Sequence, residues 1–523
     1  MRKKRMLTII LSVMLLATSV FMTSCGSGND TGNNIDKGSK KNTMVYGSGD
    51  YSAINPALFE HGEINSLLFA GLTAHNEKNE VAPGLAESWK WDDATKTYTF
   101  KLRDGITFHD GEPLTASDVK FTLDVIMDEK NASEIVSNYE DITDINVDDD
   151  RKISITLSET NAAFPDYMTI GILPEHMFKG TDIAGDDFNQ NPIGAGPFKF
   201  SKWDMGQSIT MEKFTDYYQG EPKLDKVIFK IVEDYDQRAL QLKSGDLDFA
   251  QITPKASNEI KSVDGLEVNI MNTADYRGIM YNFNNEFWKE NKELIPALSY
   301  AIDREAIIES VLLGYGQVAY SPLQKGEYND PGMEQYEYNP QKAEKLIKDA
   351  GWTKGKSGFF EKEGKELAFV INNGQGDQVR IDMSNIAAQN LQDIGVNATV
   401  EVQAEVDWEK QDSYLIGWGS PFDPDDHTYK VFGTGQAANY SGYTNKKVDK
   451  LLTEGRQHEG KDQRIEFYTE FQQELAKDPA YTFIAYIDAI YAGVDNLSGI
   501  MSNTVLGHHG VGVFRNIHEW EYK

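Results

Sequence analysis

The chain has one cysteine in 523 residues, Cys25. No disulfide can form within the molecule. It contains no H-E-x-x-H and no G-x-S-x-G, so neither the helical zinc pair nor the nucleophile elbow is available for hydrolysis. Gly351-Trp-Thr-Lys-Gly355-Lys356-Ser357 ends like a phosphate-cradling loop. However, only three residues lie between its glycines where four are needed, and a helical pattern precedes it; a helix stop followed by a turn explains it. Positive charge is scarce, with 51 Lys+Arg against 82 Asp+Glu and a net −31, which excludes phosphate-rich partners such as nucleic acid. Nine histidines are no enrichment, so only their positions carry meaning. Beyond residue 24 no apolar run is long enough to span a bilayer.

What is present begins at the N-terminus. Arg2, Lys3, Lys4 and Arg5 precede an apolar run from Met6 to Met22, the pattern of a secretory signal. The run closes on Met22-Thr23-Ser24-Cys25, which resembles a bacterial lipobox, with Met where Leu is commoner. Cys25 is therefore expected to carry the lipid anchor (palmitate included), since two or more acyl chains hold a protein to a membrane and one does not. Residues 26–41 are Gly, Asn and Ser rich with almost nothing apolar, and read as a flexible tether. Removal of residues 1–24 takes four basic residues and no acid, leaving 47 against 82 and a net −35; a solvated acidic surface accounts for it. The remaining length is too great for one core.

Strand and helix patterns alternate through the rest. Tyr98, Phe100 and Leu102 alternate with polar residues, as do Ile153, Ile155 and Leu157, predicting half-buried strands. Thr115 and Asp118 form a capping box ahead of Val119, Leu123 and Ile126. Asn339-Pro340 opens another helix that Gly351 stops. Asp303 caps a helix expected to run toward Gly314, and Gln237–Ser244 a helix stopped by Gly245, with a strand near Leu247–Ala250. The fold class is mixed α/β.

Several segments together resemble one family. They are Ala86-Glu-Ser-Trp89, Tyr98-Thr-Phe-Lys-Leu-Arg103-Asp-Gly105, Phe108-His109-Asp110-Gly111 and Leu114-Thr-Ala-Ser-Asp118-Val119. They continue in Asn191-Pro-Ile-Gly194-Ala-Gly196-Pro197-Phe198, Leu240-Gln-Leu-Lys-Ser-Gly245-Asp-Leu-Asp248, Ala297-Leu-Ser-Tyr300-Ala-Ile-Asp303-Arg304 and Tyr338-Asn-Pro340-Gln-Lys-Ala343. In this order they are similar to the solute-binding proteins of peptide and nickel ABC importers, extracellular family 5. The resemblance implies a two-lobed periplasmic-binding-protein clamshell of the class II type, in its large peptide/nickel-binder variety. Lobe I would be discontinuous, 42–278 plus 487–523 with an inserted subdomain at roughly 74–190, and lobe II would be 279–486. It implies a monomer that is no enzyme, meets the membrane only through its anchor, and serves an ABC permease and ATPase. The place of work would be the outer face of the cell membrane of a Gram-positive bacterium. His109 and Asp110 then read as a structural turn rather than an acid/base pair.

The ligand is read from two places. Gly417-Trp418-Gly419-Ser420-Pro421-Phe422-Asp423-Pro424 has Ser and Pro where peptide-binding relatives place an Asp for the α-ammonium group, and looks closer to the nickel-binding members. Trp418 and Phe422 would form an apolar wall, with Arg380 meeting a chelator carboxylate and Tyr443 a further contact. His508-His509 lies between Gly507 and Gly510; with His61 it would make the metal-ligating trio, while His427 lies near the same loop. Imidazole suits nickel, and a neutral ring is required, which places loss of affinity near pH ~6.5. Nickel, free or as a chelate such as with histidine, is the expected solute, carried as cargo rather than cofactor. A short peptide is the alternative.

Overall fold

The computed structural model describes residues 42–523 except 60, 61, 179–181 and 409. The signal, Cys25, the tether and His61 lie outside the described residues.

Two sheets organise the chain. The first has seven strands in the order Leu266–Met271, Ala489–Val494, Phe249–Gln251, Thr43–Ser48, Lys226–Ile231, Ser208–Lys213 and Phe198–Asp204. Thr43–Ser48 runs parallel to both neighbours, and the outer pairings are antiparallel. The second sheet has six strands: Gly316–Val318, Tyr481–Ile487, Tyr276–Tyr281, Ser413–Trp418, Ala368–Gly374 and Asn397–Gln403. Tyr276–Tyr281 and Ser413–Trp418 are buried at every position, as inner strands covered on both faces must be. Each sheet has its own core. One collects Met44, Tyr46, Phe229, Phe514 and Trp520, and the other Tyr276, Trp288, Phe369, Leu415 and Phe483.

A four-stranded antiparallel sheet (Ala86–Asp92, Thr97–Leu102, Lys152–Leu157, Ile142–Asp149) extends the first lobe. Its inner strands show the alternating burial that the sequence predicts. Helix Ala116–Met127 packs beside it and opens on the predicted capping box, with Thr115 N–H donating to Asp118 Oδ2 at 2.8 Å. Asn339 Oδ1 caps Pro340–Asp349, accepting from Lys342 N–H at 2.9 Å. Three boundaries differ from expectation. The helix capped by Asp303 ends at Ser310, four residues before Gly314 turns the chain at φ +84°. The helix expected at Gln237–Ser244 starts two residues early, at Tyr235, because Asp234 caps it, and the strand expected near Leu247–Ala250 is Phe249–Gln251. No helix among the described residues is long and apolar enough to cross a membrane.

The chain passes between the lobes twice, between Met271 and Tyr276 and between Ile487 and Ala489. The crossings are bonded to each other: Thr273 Oγ1 donates to Ile487 O at 2.6 Å, and Ile487 N–H to Asp275 O at 3.0 Å.

Candidate solute-binding site

Beside these crossings two loops meet. The first leaves the end of Ser413–Trp418 and runs into helix Asp425–Phe432. Gly419 adopts φ +148°, and a Cβ there would strike Ala274 O, so only glycine lets the loop lie against the crossing. The second is the histidine strip. Leu506 is hydrogen-bonded on both sides to the crossing (Leu506 N–H to Asn272 O 2.9 Å, Ala274 N–H to Leu506 O 2.8 Å), and His508 N–H donates to Gly419 O at 3.0 Å. The strip turns through His509 at φ +54° and Gly510 at φ +79°.

Together with the segments that carry His75, Tyr139 and Asp166, these loops wall a cavity of ≈190 Å³. His75, Asp166 and Thr169 face it from one lobe, and Ser420, Phe422, Asp426, His427 and His508 from the other side. The His75 ring stacks on Phe422 at 3.8 Å and 6°, and its Nε2 lies 2.9 Å from Asp166 Oδ1. Burial pushes the His75 imidazole down to about 3, aided by Arg515. Burial, with Asp423 and Asp426, raises the Asp166 carboxyl. Both shifts favour uncharged forms, so we read this contact as a neutral hydrogen bond rather than an ion pair.

His508 is buried, and its Nδ1 lies 2.8 Å from Asp275 Oδ1. Its ring lies 6.1 Å from Trp418 and 3.8 Å from His509. Burial pushes the His508 imidazole down to about 4 against the upward pull of Asp275. His509 is lowered for the same reason and by His508, and it is an exposed residue where His508 is buried. Burial alone would raise Asp275; the ion pair with Arg277 and then His508 outweigh it and hold the carboxyl well below its ordinary range. Arg380 belongs to the same charge cluster. Its Nε is 3.0 Å from Asp377 Oδ2 but poorly aligned, leaving that buried Nε–H without a hydrogen bond, and burial followed by Arg277 lowers its pKa.

The structure thus brings together Trp418, Phe422, Arg380, His508 and His509. Tyr443 is elsewhere: it is fully buried in the second lobe, with its hydroxyl donating to Asp478 O at 2.9 Å and its ring near Phe283. His427 holds the loop, its Nδ1 accepting from Gly419 N–H at 2.8 Å. Among the described residues no three His, Cys, Asp or Glu side chains form a metal shell; the third member of the expected trio, His61, is outside them. His109 bridges backbone, with Nδ1 accepting from Gly194 N–H and Nε2 contacting Gly196 O, both at 3.1 Å, as a structural turn requires.

Sequence reading missed His75, Asp166 and Asp275. His75 and Asp166 lie in a three-residue strand and a four-residue helix without pattern. Asp275 was legible: Asp275 and Arg277 are two apart at the mouth of an otherwise uncharged strand, which puts both on one face.

Two lobes joined by paired crossings, with a small cavity walled by both, define a two-lobed solute-binding protein. The chain belongs to the bacterial extracellular solute-binding proteins of family 5, whose middle-region model matches residues 80–440. It is therefore an extracellular binding component of a peptide/nickel ABC importer, a class that carries transported ligands and works with a permease and an ATPase. It is 31% identical to the oligopeptide-binding protein AppA of Bacillus subtilis, over 95% of this chain and 96% of that protein. The structure of NikZ from Campylobacter jejuni in complex with Ni(L-His) matches with a TM-score of 0.87 and 36% identity, covering 92% of this chain and all of that one. B. subtilis AppA in complex with a nonapeptide matches with a TM-score of 0.82 and 30% identity, over 92% and 99%.

Proposed function

We propose that this protein captures nickel as a small chelate, such as with histidine, and delivers it to its permease without chemical change. The carrying observation is the cavity itself. At ≈190 Å³ it falls below the ~300–1,000 Å³ of sites that enclose drug-sized ligands, and its wall includes an imidazole kept neutral, as a metal requires. Arg380, whose charge acts on His508 and whose Nε–H has no hydrogen bond, would meet a chelator carboxylate. His61 and His509 would complete the metal's ligands, and Trp418 and Phe422 would pack the chelate. The NikZ complex with Ni(L-His) is 36% identical over 92% of this chain. We read the anchor as Cys25, the working form as a monomer on the outer face of the membrane, and the activity as binding alone.

Similarity to AppA over nearly the full chain favours a second reading, a short peptide. Calorimetry with nickel, with nickel plus histidine, and with mixed peptides separates the two. Heat from nickel plus histidine supports the first reading. Silence in both nickel titrations, with a ladder of peptide masses on the purified protein in native mass spectrometry, overturns it.

A further inference from the structure

Asp275 lies at the mouth of strand Tyr276–Tyr281, on the first crossing. Its N–H donates to Thr273 Oγ1 at 2.9 Å and its C=O accepts from Ile487 N–H at 3.0 Å, so its backbone is tied to both crossings. Its side chain is 3% exposed. Oδ1 receives the Arg277 guanidinium and lies 2.8 Å from His508 Nδ1, while Oδ2 is 3.4 Å from His509 N. A carboxylate paired with arginine only accepts hydrogen bonds. The proton of a neutral His508 therefore sits on Nδ1, which leaves Nε2 as the ring's acceptor nitrogen.

We propose that Asp275 is a positioning residue for solute capture: it holds His508 in the Nδ1–H form and so selects Nε2 as the nitrogen that meets the metal. Three features of the structure make the arrangement more than an ordinary buried ion pair. The carboxylate is anchored by backbone bonds independent of either loop. The imidazole it orients lines the cavity wall. The next residue, His509, has its backbone N–H turned toward the same carboxylate, which fixes the turn that presents both rings. Carboxylate partners of metal-binding histidines set tautomer and ring direction, and their loss costs about 10–100-fold in metal affinity. The metal part of this inference rests on the nickel reading; the orientation of His508 does not.

The test uses the whole extracytoplasmic protein. Long-range proton–nitrogen spectra of histidine-labelled protein, with His508 assigned through His508→Gln, report the tautomer without any metal. The Nδ1–H form is expected, and a proton on Nε2 overturns the proposal. Calorimetry with Ni(II)–histidine then compares wild type with Asp275→Asn and Asp275→Glu. A 10–100-fold loss in Asp275→Asn, partly restored in Asp275→Glu, supports it; wild-type affinity in Asp275→Asn overturns it. If the Nδ1–H form is present but wild type ignores nickel, the nickel reading falls, the metal half of the proposal falls with it, and the orienting role stands. Because Asp275→Asn also leaves Arg277 unpaired, the wild-type spectrum keeps the proposal open to refutation if that variant fails to fold.

Discussion

Tyr167 places its hydroxyl 2.5 Å from Asp425 Oδ2, one residue in each lobe, at a point where Asp425 is wholly buried and also bound by Arg456. Arg456 returns the contact, its C=O accepting from Ala162 N–H at 2.8 Å and its Nη1 lying 3.5 Å from Asp141. The lobes are thus fastened by a buried contact next to the cavity, whose wall includes Tyr167. Hydrogen bonds to charged groups contribute about 1.5–3 kcal/mol, and Arg456 would still neutralise Asp425 in Tyr167→Phe. That variant should therefore sit near the low end, about tenfold in the closed-to-open ratio. Small-angle scattering of the ligand-free protein should show a larger mean radius, and stopped-flow release should quicken. An unchanged profile and release rate would discount the fastening.

His508 should remain unprotonated well below the ordinary histidine range. The sequence alone places its titration near pH ~6.5; burial moves it to about 4. A pH titration of its ring by NMR should show no protonation step between pH 7 and 5. A midpoint near 6.5 would mean the ring is not enclosed.

Glu63 carries a pH-dependent stability of the opposite kind from a paired carboxylate. Tyr46 Oη donates to it at 2.8 and 2.9 Å, yet burial outweighs this and Arg238, pushing its carboxyl up to about 7. A folded pKa above the unfolded ~4.3 means that stability is fully present below pH ~4.3 and is lost as pH rises through about 7. Urea midpoints of wild type should fall relative to Glu63→Gln across that window. Parallel curves would show that the carboxyl is not buried uncharged.

Arg380→Ala should weaken capture of nickel with histidine by about tenfold, the scale of one charge-assisted bond. It should barely alter capture of nickel with histamine, which lacks the carboxylate. Equal losses for both would assign Arg380 to folding rather than recognition.

Tyr443→Phe should leave solute affinity unchanged and cost about 1 kcal/mol of stability, since it removes one buried hydrogen bond to Asp478. Any marked loss of affinity would place the ring nearer the solute than its position in the second core implies.

Local elements were legible because their signals are local. The Thr115–Asp118 box, the Asn339 cap and the alternation at Tyr98–Leu102 each depend on a handful of neighbours, and each stands where the sequence puts it. The Trp418 loop was legible through its resemblance to the nickel-binding members, and the histidine strip through the glycines that flank it. The cavity's other wall was not. His75 meets Phe422, 347 positions away in sequence, and Asp166 gains its character from Asp423 and Asp426 across the lobes. Such contacts exist only after folding, and no periodicity records them. Tyr443 shows the converse: expected as a further contact of the solute, its ring is drawn by tertiary packing into the second core.

The glycine at 419 narrows how this receptor could diversify. Its main chain lies against Ala274 O with no room for even a methyl group. Changes of preference among descendants must therefore come from exchanging the side groups at Ser420 and Phe422, or those opposite them, while the loop's path past the crossing is inherited unaltered. A library that randomises those neighbours but spares residue 419 should yield folded variants with new cargo far more often than one that includes it.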